Sequence, residues 1–236
     1  GKRMSLGEKV SDTIYCEPSK NIPIIADVDV LVVGGGPAGV CAAIGAARTG
    51  AKTFLVERHG FLGGMWTAGM VLTLAGFNSW LRPYHRCVAG VAGEWIQRAA
   101  AQNGCQDHTG FVLNSDPEVM KRVADDMIAE AGVGILFHCW GADPIMERGA
   151  VRGLCIENVD GRRAIRARQT VDCTGDGDVM ARAGAPWTKS RSLQPMTMYG
   201  VLRSPVAGAL TTIRLQLRAH ELAFRGDRNN ALVRSF

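Results

Sequence analysis

Gly34, Gly36 and Gly39 stand in G-x-G-x-x-G spacing, and an acid, Glu57, follows about twenty residues later. Those residue types at that spacing can hold two linked phosphates and a ribose. Gly34 permits a tight turn. Gly36, with no side chain, lets a pyrophosphate approach the backbone. Gly39 lets the next helix pack closely. Pro37 and Ala38 open that helix, where a missing N–H costs little and the free N–H groups face an anion. A carboxylate at the end of the following strand, Glu57, is placed to accept from ribose hydroxyls.

The elements that position these residues are legible around them. Residues 28–33 are rich in Val and Leu, with Asp29 the one polar residue, and predict a buried parallel strand. A small-residue helix is expected over 37–49, with Gly50 just past its end. Residues 53–56 form the second strand, and Glu57 closes it. The sequence thus predicts a dinucleotide-binding strand–turn–helix–strand unit.

Composition is compatible with such a domain. The chain has 236 residues, 47% apolar and 21% charged, enough for a real core. The net charge of +5 suits an anionic small ligand. No basic run is interleaved with aromatics, so nucleic acid is not an expected partner. Seven cysteines, an odd number, lack C-x-x-C spacing. They argue against a disulfide framework or zinc site and for a reducing, cytoplasmic setting. Residues 30–47 are uncharged over a span long enough for a membrane helix, but the glycines and Pro37 break it. No membrane span and no secretory signal are expected.

After Glu57 the chain does not turn at once into a helix. Arg58 leads into a glycine-rich loop with Gly60, Gly63, Gly64 and Thr67. Such a loop can pass close to an extended ligand and donate backbone N–H groups to it. FAD, longer than NAD beyond its pyrophosphate, fits that feature. With its G-x-G-x-x-G unit, the Glu57–Arg58 pair and GFLGGMWTAGM at 60–70, the sequence resembles the FAD-dependent oxidoreductases with a glutathione-reductase-type FAD fold. Within that group it is most similar to a branch related to fumarate reductase and succinate dehydrogenase flavoproteins.

The resemblance implies an α/β, Rossmann-like FAD-binding domain with a parallel sheet and a small antiparallel β-meander insert. It assigns 88–104 and 115–139 to two helices and the third parallel strand, with Ser115 or Asp116 as cap and a Ser115–Glu118 capping box. Short strands at 144–147, 151–157 and 163–168 make the meander, followed by the last parallel strand at 169–172. That strand runs into CTGDGD at 173–178, where Thr174, Gly175 and Asp176 carry over as cofactor contacts. Gly141 and Ala142 lie where the family covers the adenine. Read without the resemblance, T-G-D-G-D is equally a turn and a helix cap.

The resemblance covers 21–198, and related chains continue for about as many residues again. The expected organisation is an N-terminal arm at 1–26, the FAD-binding domain at 27–195, and 196–236 as the start of an incomplete substrate domain or a divergent basic tail. The implied activity is hydride transfer between a small organic substrate and the flavin. The alternative is a catalytically incomplete FAD-binding chain, truncated or completed by a second chain. No Cys pair in the flavin loop supports a disulfide relay, and no second G-x-G-x-x-G supports an NADPH domain. Arg82, Tyr84, His85 and Arg86 follow the loop and could stabilise reduced flavin or move a proton; they read equally as a polar surface loop. His59 could be a flavin attachment point, but the familiar patterns are absent. No catalytic residue and no metal site are assigned.

Overall fold

The computed structural model describes residues 16–79, 83, 85–107, 112–113 and 115–189. Arg82, Tyr84 and everything expected beyond residue 189 lie outside the described residues.

The first strand, β1 (Ile24–Val33), is buried at its C-terminal half because Leu31, Val32 and Val33 send apolar side chains to both faces. It begins four residues earlier than the apolar run predicts. α1 (Pro37–Arg48) follows, then β2 (Thr53–Val56), as expected from the sequence. The remaining helices are α2 (Gly90–Ala101), α3 (Pro117–Glu130) and the short α4 (Asp178–Arg182). Two short strands, β3 (Gln106–Asp107) and β4 (Val112–Leu113), pair with each other. β5 (Gly134–Leu136), β6 (Trp140–Glu147), β7 (Ala150–Asn158) and β8 (Gly161–Asp172) complete the main sheet.

Its order is β5-β2-β1-β8-β7-β6. β5, β2, β1 and β8 run parallel; β7 and β6 continue the sheet antiparallel. The expected third meander strand and last parallel strand are one continuous element. β8 pairs with β7 from Gly161 to Arg166 and with β1 from Ala164 to Asp172. The ladder with β1 overlaps the end of the ladder with β7 and continues past residue 168, so the strand has no reason to break there. The meander also curls over the parallel strands. A Cβ built on Gly141 in β6 would lie 3.1 Å from both Leu154 and Val33 side chains. Helices therefore cover one face of the sheet and the meander covers the other.

On the helical face Val32, Ile44, Leu55, Trp95, Met120 and Met127 are fully buried. Each such side chain contributes roughly 1.5–3 kcal/mol of burial. Trp95 Nε1–H donates to the Met120 carbonyl at 3.1 Å, so its polar edge is satisfied. Trp66 tilts against Trp95, with ring centroids 4.9 Å apart, and ties the loop after β2 to the helices.

The start of α3 corrects one expectation. Asp116 is the cap: its Oδ1 accepts from Glu118 N–H at 2.8 Å and Val119 N–H at 3.4 Å. The Ser115 hydroxyl is buried without a hydrogen-bond partner, so no Ser115–Glu118 capping box forms. Pro117 at the first helical position places Asp116, one residue further on than Ser115, next to the free N–H groups. Asp116→Ala is expected to cost about 1 kcal/mol, read as a lower urea midpoint with unchanged slope. Asn103 and His138, both at positive φ, end their segments, so His138 falls outside the third parallel strand.

Candidate functional site

The glycine turn between β1 and α1 divides its labour. Gly34 has φ +99°, and a Cβ there would meet the Cys173 carbonyl oxygen at 2.6 Å. A Cβ on Gly39 would lie 1.7 Å from the Gly34 carbonyl oxygen. Both glycines are demanded by the protein's own packing. Gly36 differs: its φ is −71° and ψ −175°, and the nearest atom to an added Cβ is Gly64 Cα at 3.9 Å. Nothing in the chain requires glycine at 36, so the space it leaves is space for something else. α1 starts there with no side-chain cap and no acid in its first turn. Its free N–H groups face that space.

The loop after β2 lies across from Gly36. Gly63 N–H donates to the Gly35 carbonyl at 2.9 Å. The Thr67 hydroxyl, buried, donates to the Leu62 carbonyl at 2.7 Å. Gly63 and Thr67 thus shape the loop from behind, while Gly64, Met65, Ala68 and Gly69 line a cavity of about 540 Å³. That volume falls within the roughly 300–1,000 Å³ usual for ligand pockets.

Glu57 closes β2 and is 5% exposed. Its Oε2 accepts from Gly35 N–H at 2.5 Å and its Oε1 from His59 N–H at 2.8 Å. Two backbone donors fix the carboxylate at the cavity wall, where the buried acid retains compensation for its charge. Arg58, exposed, lies beside it with its guanidinium 5.6 Å from the Trp140 ring. Both line the cavity, as does His59. Cys139 N–H donates to the Glu57 carbonyl at 2.9 Å, so the start of β6 adjoins the acid.

The end of β8 forms the opposite wall. Thr174, Gly175 and Asp176 line the cavity with Gly34, Gly36, Pro37 and Ala38. The Thr174 hydroxyl donates to Asp172 Oδ1 at 2.7 Å and accepts from Asp178 N–H at 2.8 Å. Asp172 Oδ2 accepts from Met180 N–H at 2.8 Å. T-G-D-G-D is therefore a helix clasp and a cavity wall at once.

Of the residues predicted from sequence, Gly39, Gly63, Thr67 and Ala142 stand behind or beside the wall, and the other ten line it. Gly141 lines it as well; Ala142 is one position further along β6. Met65, Ala68, Gly69, Trp140 and Asp172 were not predicted. Asp172 had a signal, an acid at the C-terminal end of a parallel strand. Trp140 is 59% exposed, and nothing local in the sequence marks it. His85 and Arg86 are exposed and stand apart from the cavity; Arg86 lies over the Phe77 ring. Burial pushes the Cys139 thiol up to about 11 and raises Cys173, so the two wall thiols stay protonated at neutral pH. Among the described residues no cluster of His, Cys, Asp or Glu could hold a metal, and no helix is long and apolar enough to cross a membrane.

The wall carries three acids, Glu57, Asp176 and Asp178, against Arg58. An anion here must be held by backbone N–H groups and the helix start rather than by cations. A parallel sheet, an uncapped helix N-terminus over a side-chain-free gap and a fixed acid at the next strand end define a dinucleotide-binding domain. The family model for FAD dependent oxidoreductases matches residues 29–228, most of the chain, and the protein belongs to that family. FAD is the family's cofactor, and the gap above Gly36 suits its pyrophosphate.

The chain is 28% identical over 161 residues to a digeranylgeranylglycerophospholipid reductase of Methanoculleus marisnigri, spanning 65% of this chain and 40% of that protein. It is 29% identical over 160 residues to a thiamine thiazole synthase of Methanococcus vannielii, spanning 64% and 57%. The chain thus spans about half the length of the curated relatives it matches. Among solved structures, Thermovibrio ammonificans THI4 matches at 22% identity over 66% of this chain and 61% of that one, TM-score 0.47. The family match extends past residue 198, where the recognisable motifs of the sequence end.

Proposed function

We propose that the cavity holds FAD and that the chain serves hydride transfer between a small organic substrate and the flavin. The observation that carries this is Gly36, a helix-start glycine whose missing side chain serves no packing need of the protein. FAD supplies the redox chemistry once bound. The chain's residues bind and orient it. The N–H groups at the start of α1, from Ala38 onward, donate to the pyrophosphate in the cavity that Gly36 and Gly64 line together. Glu57, held by Gly35 and His59, accepts from the adenosine ribose, with Arg58 beside it. Thr174, Gly175 and Asp176 flank the opposite side. Gly39, Gly63 and Thr67 hold the turn and loop in shape, and Ala142 supports the adenine side through β6. All seven cysteines are free thiols, which supports a cytoplasmic setting.

The alternative reading is a catalytically incomplete FAD-binding chain. Such a chain is a truncated product or one subunit of a two-chain flavoenzyme. One preparation tests both. The purified chain is expected to be yellow, or to gain the flavin bands on adding FAD. A colourless protein that stays so sinks the first proposal. Turnover by a lone monomer sinks the second.

A further inference from the structure

The cavity has two walls that belong to different parts of the sheet. One is the start of β6, with Trp140 and Gly141; the other is the β8 end and α4, with Thr174, Asp178 and Val179. α4 is fixed at its start by Asp172 and Thr174. At its other end Arg182 Nη1–H donates to the Gly141 and Ala142 carbonyls, both at 2.8 Å.

Two successive carbonyls of a regular strand point in opposite directions and cannot share one donor. Here they converge because the pairing of β6 with β7 shifts register between Gly141 and Pro144. β6 is also the edge of the main sheet, so no neighbouring strand takes up its outward carbonyls. The guanidinium takes the place of that strand.

We propose that Arg182 is a positioning residue for the adenosine end of the cofactor, setting the gap between β6 and α4. The adenosine end follows from Cys139 N–H, which ties the start of β6 to Glu57. Arg182 does not line the cavity and acts through Gly141 and its neighbours. The inference rests on the FAD reading of the same cavity.

The test uses FAD and ADP as separate probes, with dissociation constants measured well below the unfolding midpoint. Arg182→Met keeps the stem and removes the donor. It is expected to weaken FAD and ADP alike by about tenfold or more, the scale of one charge-assisted hydrogen bond. Arg182→Lys, which returns a cation able to donate to both carbonyls, is expected to stay within about threefold of the parent. Should Arg182→Met fail to fold, Arg182→Gln, too short to reach, is read on the same scale. FAD and ADP affinities within twofold of the parent overturn the inference, even with a lowered melting point, since that pattern marks a role in stability alone. A parent chain that binds neither probe defeats the FAD reading instead.

Discussion

Gly39→Ala is expected to lose a large share of the protein's stability, while Gly36→Ala, three residues away, folds normally and loses FAD. The contrast comes from what each missing side chain leaves room for. At 39 an added methyl would sit 1.7 Å from the Gly34 carbonyl oxygen, a backbone atom that cannot swing aside. Gly34 is itself pinned, because its N–H donates to the Val56 carbonyl at 2.9 Å and Cys173 crowds its Cα. Relief requires α1 to lift off β1, which opens the layer containing Val40, Ala43 and Ile44. A cost of at least about 3 kcal/mol follows, a large share of a domain's stability. At 36 the same methyl meets nothing nearer than 3.9 Å, and φ −71° with ψ −175° is ordinary extended backbone for alanine. The folding cost stays under about 1 kcal/mol. The methyl occupies the space before the helix start, so two charge-assisted bonds to the pyrophosphate are lost. At roughly 1.5 kcal/mol each, FAD affinity falls about a hundredfold. Urea unfolding and flavin titration of both variants check this. A Gly36→Ala protein that binds FAD like the parent removes the basis for the site.

The glycine turn was legible because its requirements are local. Strand, turn, helix and terminal acid occupy thirty-odd consecutive residues, and their spacing alone gives β1, α1 and β2. The spacing assigned each of its three glycines a role, but not the second demand on Gly34, since that depends on Cys173, far along the chain, arriving against it. T-G-D-G-D was ambiguous for a related reason. A cap and a cofactor contact use the same residue types, and here Thr174 caps with its hydroxyl while its segment lines the cavity.

What escaped sequence reading depends on curvature. Trp140 lines the cavity only because the meander bends back until Gly141 approaches Val33, and that bend arises from register shifts in β6. Period-two patterning registers alternation and is blind to a bulge. The same blindness split β8 into two strands, since a turn from an exposed to a covered face leaves no gap in its hydrogen bonding. The cap of α3 shows a smaller case. Ser115 and Glu118 have capping-box spacing, yet Pro117 shifts the helix start by one residue.

Glu57 joins the two levels, and Glu57→Gln should expose both of its duties. The carboxylate is an acceptor at both oxygens, and the two donors facing it, Gly35 N–H and His59 N–H, belong to different segments. An amide of the same shape must present its NH₂ to one of them. One buried donor then loses its partner and faces another donor, at a cost of about 1–3 kcal/mol. Whichever segment is released, the cradle suffers: Gly35 carries the carbonyl that holds Gly63, and His59 leads into the loop that holds Gly64. The amide also gives the ribose hydroxyls a neutral acceptor in place of a charged one. Together these lower FAD affinity by about a hundredfold. Glu57→Asp retains the charge but shortens the reach, so it is expected to recover less of the stability than of the ribose contact. If Glu57→Gln loses stability yet binds FAD within threefold of the parent, Glu57 is a strap between the glycine turn and the loop, and the ribose contact belongs to another residue.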